Sequence, residues 1–392
     1  MEPPPGECDL AVVGGGILGL AVARALHARR PAARVAVLER GAEVGTGQTG
    51  ANSGVIHAGI YYAPGSLKAR MCVAGARAMY AYCEEHGIAH ERCGKLIVAR
   101  DESELGRLDE LERRGRENGV PGLRRLAGEE IRQIEPHARG AAALHSPETG
   151  IVDFAAVARS LAAGLEREGV PVARRCAIEG VDQRGGRIVL RHAGGETTAR
   201  FAVFCAGAAS DRLAVMAGAP KDPRIVPFRG AYLYLKPAKR ELVNGMVYPV
   251  PDPSLPFLGV HLTRHIDGNV SLGPSALLWP RGTSELKWPG TWRMARTWWR
   301  TGVTEIKHAA SKRSFAAAAA DYVPEIRPGD FDGGFSGVRA QALARDGTLV
   351  DDFVVSETER ALHVRNAPSP AATSSLALAG LIADRVDSLA PA

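Results

Sequence analysis

The 392-residue chain contains no run of the roughly 18 apolar residues that a membrane-spanning helix requires, which argues against a helical membrane span. Its first residues, Met1-Glu2-Pro3-Pro4-Pro5-Gly6-Glu7, have neither the basic nor the apolar region of a secretory signal, so a cytoplasmic location is expected. The six cysteines, Cys8, Cys72, Cys83, Cys93, Cys176 and Cys205, form no CxxC pair. Free thiols in a reducing compartment are expected, and no metal site. Blocks of one charge sign are also missing, and many basic residues alternate with acids, as over 102–116, which reads as a solvated helix face. Nucleic acid is therefore a poor partner. No internal repeat or low-complexity tract stands out. The net charge of +6 suits an anionic substrate or surface, and the length suffices for two intergrown domains around a large core.

Glycine is abundant, and its placement near the start carries the strongest signal. Asp9-Leu10-Ala11-Val12-Val13 runs into Gly14-Gly15-Gly16-Ile17-Leu18-Gly19, a helical stretch follows to about residue 29, and Val35-Ala36-Val37-Leu38 ends at Glu39. Strand, glycine turn, helix, strand and acid form a dinucleotide-binding βαβ unit. Gly14 permits the tight turn, Gly16 lets amides approach a pyrophosphate, and Gly19 allows the helix to pack on the sheet. The helix N-terminus offers amides and its dipole to phosphate. Glu39 can accept hydrogen bonds from both hydroxyls of an unphosphorylated ribose, which favours FAD or NAD over NADP.

After Arg40 comes a glycine- and hydroxyl-rich segment, Gly45-Thr46-Gly47-Gln48-Thr49-Gly50-Ala51-Asn52-Ser53-Gly54, suited to wrapping a polar ligand. Helical patterns are predicted at 66–85, 102–118, 154–168 and 371–390, with further helices over 290–320. Phe201-Ala202-Val203-Phe204-Cys205-Ala206-Gly207 reads as an apolar strand ending in small residues, open to close cofactor approach. Alternating strands over 225–273 predict a mixed or antiparallel sheet inserted into the first domain. The expected division is a nucleotide domain of 1–85, 145–222 and 328–392, and a substrate domain of 86–144 and 223–327. The fold class is thus α/β, a Rossmann-like nucleotide-binding domain with an inserted β-sheet substrate domain.

The glycine turn, Glu39, Asn52-Ser53-Gly54-Val55-Ile56-His57-Ala58-Gly59 and Cys205-Ala206-Gly207 together resemble the superfamily of FAD-dependent D-amino acid oxidase, glycine oxidase and glycerol-3-phosphate dehydrogenase. Narrower stretches resemble the L-2-hydroxyglutarate oxidase and dehydrogenase family. They include Cys93-Gly94-Lys95-Leu96, Pro227-Phe228-Arg229-Gly230, Gly259-Val260-His261-Leu262-Thr263, Gly337-Val338-Arg339-Ala340-Gln341 and Asn366-Ala367-Pro368-Ser369-Pro370-Ala371-Ala372-Thr373. The resemblance implies FAD and oxidation of L-2-hydroxyglutarate to 2-oxoglutarate, with oxygen or a membrane quinone as the final acceptor. It implies FAD contacts at Gly14, Gly16, Gly19, Glu39, Arg40 and Thr49. Further contacts are implied at Asn52, Ser53, Gly54, Ile178, Ala206 and Gly207, and at Pro370, Ala371, Ala372 and Thr373, where a helix start presents amides to the flavin. No cysteine or histidine is obviously placed for a covalent flavin bond, so non-covalent FAD is expected.

Oxidising a 2-hydroxy acid needs a base near the hydroxyl and cations for the carboxylates. His261 and His57 are the two histidines in motif-like context, and either can be the base or a structural imidazole. On a strand, His261 and Thr263 share one face and Arg264 lies on the other. Arg339 is expected to grip a carboxylate through its planar guanidinium. Arg229 is the weaker candidate for the distal carboxylate, with Gln341 and Lys68 as further candidates. The C-terminal turn lacks the glycine-rich, histidine-bearing form of the amino acid oxidases, which argues against an amine substrate. The remaining alternatives are a flavin oxidase of another 2-hydroxy acid or amino acid, and a non-catalytic FAD-binding protein. Trp288, Trp292, Trp298 and Trp299 lie among Arg293, Arg296 and Arg300, a composition that suits either a peripheral membrane contact through 288–313 or, as the favoured reading, a helix with its tryptophans inward.

Overall fold

The computed structural model describes residues 3–253, 258–280 and 282–390, with 303–310 described by backbone alone. The strand Glu7–Val13 lies between Val35–Leu38 and Gly195–Phe204, parallel to both. Val35–Leu38 is buried throughout, as is usual where helices cover both faces of a parallel sheet. Along its other edge Gly195–Phe204 serves two further partners: its first half pairs with Arg187–His192 and its end with Ala361–Asn366. On one face the helices Ile17–Arg29, Leu67–Glu85, Phe154–Arg167 and Ala371–Leu389 enclose a core that includes Leu20, Leu26, Met79, Leu161 and Ile382. Ser66 caps the second of these helices by accepting from the Ala69 amide. A Cβ at Gly75 would meet the Thr373 carbonyl oxygen at 2.5 Å, so a bare glycine lets Leu67–Glu85 lie against the start of Ala371–Leu389.

The second sheet runs in the order Leu277–Leu278, Arg224–Leu235, Val270–Gly273, His261–Arg264, Met246–Pro249, Lys95–Ala99, Ala142–Ser146, Arg124–Ala127. It is antiparallel except where Met246–Pro249 joins Lys95–Ala99, and so is the mixed sheet expected. Phe331–Leu343 departs from the expected division at 328. It pairs antiparallel along Arg224–Leu235 in this sheet, leaving Val354–Thr358 and Ala361–Asn366 to the first. The cause is a pairing across about a hundred residues of chain, which no local pattern reveals.

Candidate active site

A continuous cleft of about 1300 Å³ runs from the glycine turn to the second sheet. At one end its walls are backbone. Gly14 has φ +116°, and a Cβ there would sit 2.4 Å from the Cys205 carbonyl oxygen; at Gly19 it would sit 2.0 Å from that of Gly14. A Cβ at Gly16 would meet only Thr49 Oγ1, at 3.4 Å, so its bare Cα leaves the helix start open to the cleft. Thr49 Oγ1 accepts from the Ile17 amide at 3.1 Å, satisfying one of the first-turn donors. Glu39 accepts from the Gly15 amide at 2.5 Å and the Gly41 amide at 2.6 Å, which fixes its carboxylate at the end of the second strand with lone pairs to spare.

The 45–54 loop is closed by Asn52, whose Nδ2 donates to the carbonyls of Gln48 and Thr49 while Oδ1 accepts from the Gly54 amide. Arg40, Ser53, Ile178, Ala206, Gly207, Pro370, Ala371 and Ala372 line the same cleft; Gly54 does not, and instead turns the chain beneath it at φ +69°. Thr373 accepts from the His57 amide at 3.1 Å and donates to the Val55 carbonyl at 3.2 Å, tying the C-terminal helix start to the loop. The glycine turn, the loop after it and the C-terminal helix start are thus joined through Thr49 and Thr373, and all three border one cleft.

The other end is walled by side chains. His261 is buried, and its Nδ1 lies 2.8 Å from the Gly259 carbonyl oxygen. A carbonyl only accepts, so Nδ1 carries the proton and Nε2 is a bare acceptor, unbonded among the described residues. Burial, and then the nearby Arg339 and Lys95, press the imidazole pKa down to about 3, against the Gly259 hydrogen bond that raises it. The Tyr248 ring stacks on His261 with centroids 3.9 Å apart, and the Tyr248 and Thr263 hydroxyls lie 3.2 Å apart. Thr263 shares the His261 face, as alternation requires, but it sits behind Tyr248 and does not reach the cleft. Arg264 turns away to Glu91.

His57 is held well below the ordinary imidazole range, by burial first and then by Lys95, His261, Lys68 and Arg339. Its Nε2 lies 3.4 Å from Ser369 Oγ, and its buried Nδ1 has no partner among the described residues. Arg339 lines the cleft opposite Phe228 on the adjoining strand. Lys68 reaches the cleft edge, its Nζ 2.8 Å from Asp351; that carboxylate is 96% exposed, so the pairing is weak. Gln341 borders the cleft while donating to the Val350 carbonyl.

Arg229 is not brought to this site. It lies one residue out of phase with Phe228, on the far face of Arg224–Leu235, exposed and stacked over Trp279 at 4.9 Å. The inward reading of the tryptophans holds for Trp288, whose Nε1 donates to the Leu343 carbonyl, and in part for Trp298 at a non-helical turn of Pro289–Ala310. Trp292 and Trp299 are 64% and 60% exposed. Tyr61, Tyr248 and Lys95 went unnoticed in the sequence. A lysine opening the apolar run Lys95–Ala99 is the signal that could have found the last of them, because alternation turns it to the same side as Ile97.

A glycine-walled dinucleotide cradle opening onto a neutral imidazole amid fixed cations defines an oxidoreductase of flavoprotein type. Residues 9–385 match the family described as FAD dependent oxidoreductase (DAO), and the chain belongs to that family. It is 45% identical to the mitochondrial L-2-hydroxyglutarate dehydrogenase of Homo sapiens, covering 96% of this chain and 88% of that protein. It is 40% identical to the L-2-hydroxyglutarate dehydrogenase of Indibacter alkaliphilus, covering 96% and 98%. Among solved structures it resembles FAD-bound L-alpha-glycerophosphate oxidase from Mycoplasma pneumoniae, with TM-score 0.80, 22% identity and 98% and 95% of the two chains covered. Glycine oxidase from Geobacillus kaustophilus aligns with TM-score 0.73 and 22% identity over 99% and 96%. The shared fold and the open cradle agree that the cofactor is FAD.

Proposed function

We propose that the chain oxidises L-2-hydroxyglutarate to 2-oxoglutarate. The observation that carries the reading is His261: a neutral imidazole with a fixed tautomer and a bare Nε2, on which the charges that weigh most, Arg339 and Lys95, are cationic. Such a group, kept neutral mainly by burial, accepts the hydroxyl proton of a 2-hydroxy acid, and the cations that add to that effect also attract the carboxylates. Arg339 holds the carboxylate beside the reacting carbon, with Gln341 and Lys68 at its sides. His57 positions the C-terminal turn through Ser369 and Thr373. Bound FAD supplies the acceptor for the hydrogen on C2 and its electron pair. Gly14, Gly16, Gly19 and Glu39 would hold its adenosine and phosphate end, and the Ala371 helix start would offer amides to the flavin. A cationic ammonium group would be repelled here, which disfavours an amino acid substrate.

The strong likeness to L-2-hydroxyglutarate dehydrogenases supports the substrate. Turnover of L-2-hydroxyglutarate, with at least about 100-fold lower kcat/KM for its D-enantiomer and for L-glutamate, is the expected result; equal rates on L-glutamate would sink the reading. Oxygen or a quinone then reoxidises the enzyme. Exposed Trp292 and Trp299 beside Arg293, Arg296 and Arg300 support a peripheral contact with an anionic bilayer near the cleft-lining Thr297 and Trp298. Loss of vesicle binding in a Trp292→Ser, Trp299→Ser variant at low salt is the expected sign. No described helix is long and apolar enough to cross a membrane.

A further inference from the structure

The reaction as derived gives Lys95 no contact of its own, although this lysine is among the most buried large side chains of the molecule, at 2% exposure. Among the described residues no carboxylate pairs with it. Its Nζ sits between two aromatic faces, 4.8 Å from the Tyr61 centroid and 4.9 Å from that of Tyr248, and both rings line the cleft. The strand Lys95–Ala99 delivers it there because it shares the side of Ile97 and Ala99, which pack with Tyr248. An unpaired buried ammonium is costly, and aromatic faces offset only part of that cost. Two more polar atoms nearby, Tyr61 Oη and His57 Nδ1, are buried without partners among the described residues. Three donor-capable groups without acceptors describe a place for an anion. Lys95 weighs on His261 and His57 as Arg339 does, so both cations lie near the two imidazoles.

We infer that Lys95, with the Tyr61 hydroxyl, receives the substrate carboxylate remote from the reacting carbon and so selects dicarboxylic over monocarboxylic 2-hydroxy acids. This deepens the reading given above and replaces exposed Arg229 as the partner of that carboxylate. Burial lowers the Lys95 pKa to about 8. Around it, burial holds the Cys72 thiol up at about 12 and raises Tyr61 and Tyr248, while His57 and His261 are depressed. Arg339 is the other cation that weighs on both histidines. Lys68, farther out on Leu67–Glu85, also faces His57. A break in anion affinity near pH 8 therefore reports Lys95.

The test uses FAD-loaded protein with glutarate and butyrate as unreactive probes, read by perturbation of the flavin spectrum. Wild type is expected to bind glutarate about 30-fold tighter than butyrate, the worth of one charge-assisted contact. In Lys95→Met that ratio falls to about 1 while butyrate affinity changes less than about threefold; Lys95→Arg retains part of the preference, and Tyr61→Phe loses about threefold. Wild-type glutarate affinity weakens as pH rises through about 8, where Lys95 loses its proton, and Lys95→Met shows no such break. No glutarate preference in wild type, an unchanged ratio in Lys95→Met, or equal loss of both probes there overturns the assignment. If Lys95→Met fails to retain FAD, an unchanged ratio in Tyr61→Phe together with no pH break in wild type does the same. Failure to oxidise L-2-hydroxyglutarate would overturn the functional reading instead, and the probe ratio would still judge Lys95.

Discussion

At the Gly14–Gly19 end the cleft is walled by main chain: the Gly14 and Cys205 carbonyl oxygens 2.0 and 2.4 Å from where a Cβ would stand, open amides, and one carboxylate pinned by the Gly15 and Gly41 amides. At the His261 end the walls are side chains, an imidazole stacked on a tyrosine and a guanidinium, with a lysine held between two cleft-lining tyrosines, drawn from four strands of the second sheet. The first end binds what every member of such a fold must bind, and its geometry is set within about thirty residues of chain. The second chooses the substrate, and only the folded sheet assembles it. Substitutions should therefore divide into those that cost the cofactor and those that cost the substrate.

The sharpest break is expected from Gly19→Val. A side chain directed at the Gly14 carbonyl forces helix and strand apart, and the protein should emerge without bound FAD, seen as loss of the visible flavin bands. His261→Gln should keep its flavin and lose about 10³-fold in kcat, with KM for L-2-hydroxyglutarate changing much less. Arg339→Lys keeps the charge and loses the planar fork, raising KM about tenfold to a hundredfold at near-normal FAD content.

A smaller effect sharpens the comparison through stability. His261 stays neutral in the fold down to about pH 3, whereas the unfolded chain takes up its proton below 6.5. Its stabilising contribution is therefore complete above 6.5 and is lost as pH falls from 6.5 toward 3. Denaturant unfolding at pH 7.5 and pH 5 should show His261→Gln losing about 2 kcal/mol less than wild type between them. Least of all, Arg229→Ala should change kcat/KM by less than about twofold, since its guanidinium stacks on exposed Trp279 outside the cleft.

The same division explains what could be read from the chain alone. Gly14, Gly16, Gly19, Glu39 and the Asn52 loop stand in local order, so spacing and residue type suffice to define the cradle. Thr373 and His57 stand 316 positions apart, yet each belongs to a motif of its own, and the resemblance placed both. Arg229 was misplaced because strand phase in a long pairing with Phe331–Leu343 decides which face a residue takes, and that pairing has no local signature. Lys95 and Tyr61 were missed because a buried unpaired cation shows itself only once its surroundings are known. Thr263 was placed on the right face, but Tyr248 stands between it and the cleft.

The most direct measurement is an anaerobic titration of the FAD-loaded protein with L-2-hydroxyglutarate, followed at the flavin bands. The account predicts complete bleaching with one equivalent and appearance of one equivalent of 2-oxoglutarate, while His261→Gln with equal FAD content bleaches about 10³-fold more slowly. An unbleached spectrum in wild type holding its full complement of FAD would contradict it.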